Sequence, residues 1–173
     1  MTVRSMGDKV PVIAPTAWVS EAAYVVGDLH LADHASVWPG AVVRGDFGSI
    51  RIGAYTVIED NCVVHSGGAT TVGEDNIVGH GVVLHCARVG SSCLIGNHAT
   101  LLDDAEIGDH CLVAAGSLVP ARLVVPDRSF VSGSPASVEP ISDRHLQRLL
   151  ALSTTGREQG YPMMAARYRE AGL

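Results

Sequence analysis

An aliphatic side chain recurs every six residues along most of this sequence, a period that leaves few folds open. The positions run Ile13, Val19, Val25, Leu31, Val37 and Val43, then Ile52, Ile58 and Val64, then Val72, Val78 and Leu84. They continue through Val89, Ile95, Leu101, Ile107, Val113, Val119, Val125 and Val131. Four residues after most of them stands a small side chain: Ala17, Ala23, Ala35, Ala41, Thr56, Cys62, Cys93, Ala99, Ala105, Cys111 and Ser117. An α-helix repeats about every 3.6 residues and a half-buried strand about every two, so neither produces this spacing.

A hexad repeat is the signature of a parallel β-helix. Each hexad supplies a short strand and a turn, and three hexads complete a triangular coil. The aliphatic markers point inward and stack on those of neighbouring coils, roughly 4.7–4.9 Å away. The small residue occupies the tight corner, where a larger side chain would push the strands apart. An aromatic content of only 5% suits a prism filled by aliphatic ladders better than an ordinary globular core. The repeat predicts a β-helix domain over residues 1–140.

Three intervals break the period, and they break it in one place. Val43 to Ile52 spans nine residues, Val64 to Val72 eight and Leu84 to Val89 five. Val43, Val64 and Leu84 are three hexads apart, so they share one face of consecutive coils. The irregular segments therefore leave the prism at one edge, and loops on a rigid scaffold are where binding groups concentrate. Arg44, His65 and His85 follow those markers directly and stack in one column. Two imidazoles one coil apart can converge on one ion, because tetrahedral zinc at about 2.0–2.1 Å from each nitrogen needs them only roughly 3.3 Å apart. His80 follows Val78 by two, on the preceding face, in a column with Asp60 below and Asn97 above. It points away from the His65/His85 pair of its own chain, and a neighbouring subunit in a threefold assembly could present it there. His30, His34, His98, His110 and His145 read as surface or corner residues.

The segments Val43-Arg44-Gly45-Asp46, Ile58-Glu59-Asp60-Asn61-Cys62-Val63-Val64-His65 and Val78-Gly79-His80-Gly81-Val82-Val83-Leu84-His85 resemble the γ-class carbonic anhydrases and their homologues. That group includes phenylacetate-pathway, carnitine-operon and ferripyochelin-binding proteins. The resemblance covers about residues 10–140. It implies an all-β, left-handed parallel β-helix with C-terminal α-helices, assembled as a homotrimer. It further implies zinc, with iron(II) or cobalt(II) as alternatives, held by His65, His80 and His85 at subunit interfaces. Two of those ligands would come from one subunit and His80 from its neighbour. Arg44 matches an arginine that forms an ion pair across the interface, and Asp46 an aspartate that fixes it. The family commonly has Asn and Gln where this chain has Val57 and Glu59. The Gln position hydrogen-bonds the metal-bound water, so Glu59 would serve as acceptor or base. Phe47 replaces a glutamate of the best-studied form, and residues 66–71 contain no acid where that form has an acidic loop. Tyr161 is the nearest counterpart of a pocket-facing tyrosine found in some relatives, with packing as its alternative role.

Composition narrows the function classes. The net charge of −6 and the lack of any basic cluster argue against nucleic acid. Neither a membrane-spanning apolar run nor a leader with an apolar core is visible, so the expected location is cytoplasmic. The four cysteines form no C-x-x-C motif. Cys62, Cys93 and Cys111 take small corner positions and suit a reducing compartment, while Cys86 adjoins His85. Beyond Pro140 the hexads stop, and residues 141–173 read as a helical segment packing on the prism. Ser142 is the expected N-cap, Leu146, Leu149 and Leu150 follow at helical spacing, Gly156 and Gly160 mark a break, and Pro162 opens a second helix. Met163 and Met164 are expected in core or trimer packing.

The leading expectation is an enzyme that hydrates CO2 reversibly to bicarbonate through metal-bound hydroxide. One alternative is a hexapeptide acyltransferase with a histidine base, or a hydrolase of CoA thioesters. Another is a non-catalytic metal- or siderophore-binding or assembly protein, since fold alone does not fix function.

Overall fold

The hexads fold as their period requires. The computed structural model describes residues 2–86, 88–158 and 160–173, with 152–158 described by backbone alone. Short strands, mostly of two residues, stack in parallel into a three-faced prism. Side chains alternate along a strand, so the aliphatic marker points inward and the residue before it points out. On face I, Val43 registers with Val64, Val64 with Leu84, Leu84 with Leu101, and Leu101 with Val119. Face II aligns Leu31, Ile52, Val72, Val89, Ile107 and Val125 in the same way. Face III aligns Val19, Val37, Ile58, Val78, Ile95, Val113 and Val131. Nearly all of these side chains are fully buried, each contributing about 1.5–3 kcal/mol. The prism closes with an antiparallel strand, Ala136–Pro140.

The corners explain the histidines that sequence reading set aside. His34, His98 and His110, like Tyr55, Asn61, Asp75 and Ser92, lie three residues after a marker with φ between 55° and 59°. In the turn at His34, the Ala35 amide donates to the Ala32 carbonyl at 3.2 Å. The left-handed third residue makes this a type II pattern, and the small residue closes it. His30 is exposed on face II, and His145 packs its ring 4.7 Å from Phe130.

At the broken edge, Tyr24–Leu31 and Val42–Ile52 each run continuously from face I onto face II. The nine-residue interval is thus a strand bent around the corner rather than a detached loop. Gly48 permits the close stacking there, since a Cβ would lie 1.9 Å from the Gly68 carbonyl oxygen.

Helix α1, Asp143–Glu158, starts where expected, with the His145 amide donating to Ser142 Oγ at 3.3 Å. Gly156 does not end it. The helix runs on to Glu158, since an interior glycine costs only about 1 kcal/mol, and the break falls at Gly160 instead. Helix α2, Tyr161–Glu170, carries Pro162 in its first turn. It buries Ala165 against Trp18, Trp38 and Val57, flanked by Tyr161 and Tyr168. Met163 and Met164 are not core residues of the chain. They stay 39% and 36% exposed, because Ala165 and the two tyrosines take the inward positions.

Face III therefore lies under its own helix, with Trp18, Ser36 and Val57 buried. The outward residues of face I are Tyr24, Val42, Val63, Val83, Thr100 and Leu118. Those of face II are His30, Arg51, Thr71, Arg88, Glu106 and Val124, all exposed. Among the described residues no helix is long and apolar enough to cross a membrane.

Candidate metal centre

The face I–face II corner brings Arg44, His65 and His85 into one column, as the marker count requires. The His65 and His85 amides donate to the carbonyls of Leu84 and Leu101 on the next coils, at 3.0 and 2.9 Å. Their rings lie 5.4 Å apart, centroid to centroid. Asp46 sits in front of them, its Oδ1 2.9 Å from His65 Nε2 and its Oδ2 accepting from Arg44 Nη1 at 2.5 Å. Lys9 donates to the Asp46 carbonyl oxygen. Burial pulls the Asp46 carboxyl upward, but the Phe47 amide, the Arg44 guanidinium and the His65 ring outweigh it, and its pKa is lowered. Phe47 is 71% exposed, with its ring edge-on to His65 at 5.8 Å.

The acid-free segment after His65 folds back on itself. Ser66 Oγ, with one proton to give, lies 2.8 Å from the Gly68 carbonyl oxygen and 2.7 Å from Thr70 Oγ1. Thr70 in turn donates to the Cys86 carbonyl at 2.8 Å. A hollow of about 320 Å³ remains between this segment and His85, Cys86, Asp103 and Asp104. The Cys86 thiol is fully buried, and burial pushes its pKa up to about 12, so it is neither exposed nor readily ionised.

His80 lies at the other corner of face I. Its Nδ1 is 3.0 Å from Asp60 Oδ2 and its Nε2 is 3.2 Å from Glu59 Oε2. The column partner Asp60 was legible in the sequence, whereas the setting of Glu59 was not. Glu59 is only 6% exposed and accepts a hydrogen bond from the Tyr161 hydroxyl. Burial, then the Glu59 carboxylate, raises the Tyr161 pKa, so the phenol stays neutral. Tyr161 also packs edge-on against Trp38 at 5.7 Å, so it serves both the helix packing and the Glu59 contact. The family resemblance pointed both residues toward the pocket, but nothing in the repeat pairs them, since they stand 102 residues apart. Among the described residues of one chain, no three His, Cys, Asp or Glu side chains gather closely enough to hold a metal ion. The imidazoles are divided two and one between the two corners that bound face I.

This geometry accompanies a clear family relationship. The bacterial transferase hexapeptide (six repeats) family matches residues 86–121. γ-Carbonic anhydrase 1 of Arabidopsis thaliana mitochondria is 37% identical over 143 residues, covering 78% of this chain and 52% of that protein. The chain thus spans about half the length of that relative. The carnitine operon protein CaiE of Escherichia coli K12 is 36% identical over 140 residues, covering 79% of this chain and 71% of that one. A solved hexapeptide transferase family protein of Anaplasma phagocytophilum superposes with a TM-score of 0.86, at 30% identity and 96% coverage of both chains. A putative acetyltransferase of Bacillus cereus gives 0.89, at 28% identity and 98% and 97% coverage. By its repeats, coverage and identity, the chain belongs to the hexapeptide-repeat β-helix family that includes the γ-carbonic anhydrases and the carnitine operon proteins.

Proposed function

We propose that the protein is a γ-class carbonic anhydrase-like metalloenzyme, active as a homotrimer, that interconverts CO2 and bicarbonate. The observation that carries this reading is the two-and-one division of His65, His85 and His80 across face I. His80 and His85 belong to the same coil, on opposite corners. A threefold axis in front of face I, parallel to the prism, preserves height. It would bring the His80 corner of one subunit against the His65/His85 corner of the next. The outward side chains Val42, Val63, Val83 and Leu118 suit burial at such an interface.

Three imidazoles with an open fourth position fit zinc, and iron(II) or cobalt(II) suit the same nitrogen donors. When bound, the metal supplies the Lewis acidity that makes water a nucleophile near neutral pH. The chain's own residues then have distinct tasks. Asp46 holds Arg44 and restrains the His65 ring. Glu59, fixed by Tyr161, arrives with the partner subunit's His80 as a buried hydrogen-bond acceptor. It orients water or takes its proton, while neutral Tyr161 keeps the carboxylate from turning away.

Metal analysis of the purified protein followed by stopped-flow CO2 hydration tests the reading. The expected result is near one metal per subunit and hydration that disappears with chelation. A fully loaded trimer with no hydration would overturn the enzymatic part. Turnover of acyl-CoA would favour the transferase suggested by the names of the structural relatives.

A further inference from the structure

We propose that Asp103 is the positioning residue for His85, fixing the imidazole tautomer and aim so that Nε2 faces the metal. The proposal rests on the metal reading above. His85 Nδ1 lies 3.1 Å from Asp103 Oδ1. A carboxylate only accepts hydrogen bonds, so this contact requires the proton on Nδ1 and leaves the Nε2 lone pair free. Metal-bound histidines are commonly oriented in this way, by a carboxylate on the nitrogen that does not ligate.

Both partners are held by the scaffold rather than by each other. The His85 amide donates to the Leu101 carbonyl at 2.9 Å, which places it beside the start of the next coil's turn. That turn closes through the Ala105 amide on the Leu102 carbonyl at 3.1 Å, with Asp104 left-handed at φ 57°. The Asp103 carbonyl meanwhile accepts from the Arg122 amide of the following coil, at 2.8 Å. Asp103 thus enters the contact from a backbone fixed on both sides, so little conformational entropy is lost in making it.

The other two imidazoles meet carboxylates differently. His80 has Asp60 on Nδ1 but Glu59 on Nε2, and His65 has Asp46 on Nε2. Among the three, His85 alone has a carboxylate on Nδ1 and none on Nε2. It is the ligand already set for a metal, and Asp103 sets it. The Asp103 side chain is 64% exposed, and exposed pairs contribute little to folding stability. Its removal should therefore register at the metal and scarcely in Tm.

The test compares wild type, Asp103→Asn and Asp103→Ala by zinc competition against a chromophoric chelator, with ring 15N NMR of the metal-free proteins. Wild-type His85 is expected as the Nδ1–H tautomer. Asp103→Ala should shift it toward Nε2–H and weaken zinc by about 10- to 100-fold at unchanged Tm. Asp103→Asn, which keeps an acceptor, should recover much of both. Unchanged affinity and tautomer in Asp103→Ala, with wild type loading normally, would overturn the role of Asp103 and leave the metal reading standing. Failure of wild type itself to take zinc, iron(II) or cobalt(II) would overturn the metal reading and this inference with it.

Discussion

Faces I and II share one inward chemistry and differ in their outward chemistry. Both line the prism with buried aliphatic markers, and both belong to the same twelve-stranded sheet. Outward, face I shows Tyr24, Val42, Val63, Val83, Thr100 and Leu118, while face II shows His30, Arg51, Thr71, Arg88, Glu106 and Val124. On face II, Arg51 and Arg88 reach Asp28 and Asp109 at 3.2 and 3.4 Å, contacts suited to water. The inward residue decides whether a coil forms, and the outward residue decides what may touch it. The two corners that bound face I carry the three candidate ligands, so the apolar surface coincides with the two halves of the proposed metal site.

The comparison breaks most completely if charge on face I leaves assembly intact. Val63→Glu should convert the trimer to monomers in multi-angle light scattering, because an unpaired carboxylate in a dry interface is strongly unfavourable. Thr71→Glu, the same charge on face II, should stay trimeric, since it stands between Arg51 and Arg88 in the parallel ladder. A monomeric wild type, or a trimeric Val63→Glu, would remove face I as the contact surface.

Loss of one ligand type should empty the site without dissolving the coils. His65→Ala, His80→Ala and His85→Ala are each expected to abolish bound metal, whereas His98→Ala, a turn residue, should retain it. A mixture sharpens the point. In trimers coassembled from equal amounts of His65→Ala and His80→Ala chains, about a quarter of interfaces pair an intact His65/His85 with an intact His80. Metal content near that fraction supports ligands shared between subunits, and none at all would place the three histidines in one chain.

Much of this was legible because a β-helix turns position into arithmetic. Marker counting gave the registers, the column of Arg44, His65 and His85, and the divergence of His80. His34, His98 and His110 read only as surface or corner residues, and their shared left-handed turn position emerged from the backbone. Marker counting did not show Glu59 beneath Tyr161, because α2 reaches that corner by tertiary packing on Trp18 and Trp38, outside any repeat. Nor did it pair His85 with Asp103. His85 follows its marker by one residue and Asp103 by two, so column counting put them out of line, and only side-chain reach joins them. Gly156 misled for another reason: local propensity is a weak prior against the continuation of a helix.

Substitution at Glu59 should have a smaller effect than loss of a ligand. Glu59→Gln keeps an acceptor for Tyr161 and adds a donor that a carboxylate lacks. Trimer and metal content should be unchanged, while CO2 hydration between pH 6 and 9 rises by about two- to tenfold, the value of one additional hydrogen bond. Equal rates across that range, with full metal in both proteins, would take Glu59 out of the reaction.

The smallest effect expected concerns the cysteines, which compare a broken corner with closed ones. Burial raises the Cys62 thiol to about 11 and the Cys86 thiol to about 12. Cys93 Sγ donates to the Gly108 carbonyl at 3.1 Å and accepts from the Cys111 amide at 3.4 Å, and the two neighbouring thiols shift each other, Cys93 upward and Cys111 downward. All four residues are nevertheless buried, with no side chain more than 1% exposed, and a thiolate must also be reachable to react. Native protein at pH 8 should therefore resist a disulfide reagent, and denatured protein should release four equivalents. Below the thiol pKa the residual native rate should rise about tenfold per pH unit, because the reactive thiolate fraction does. Mass spectrometry of the first adduct decides between corners. Cys86, which lines the hollow at His85, should be modified first. First labelling of Cys93 or Cys111 would show that the regular corners open more readily than the irregular one, reversing the contrast between them.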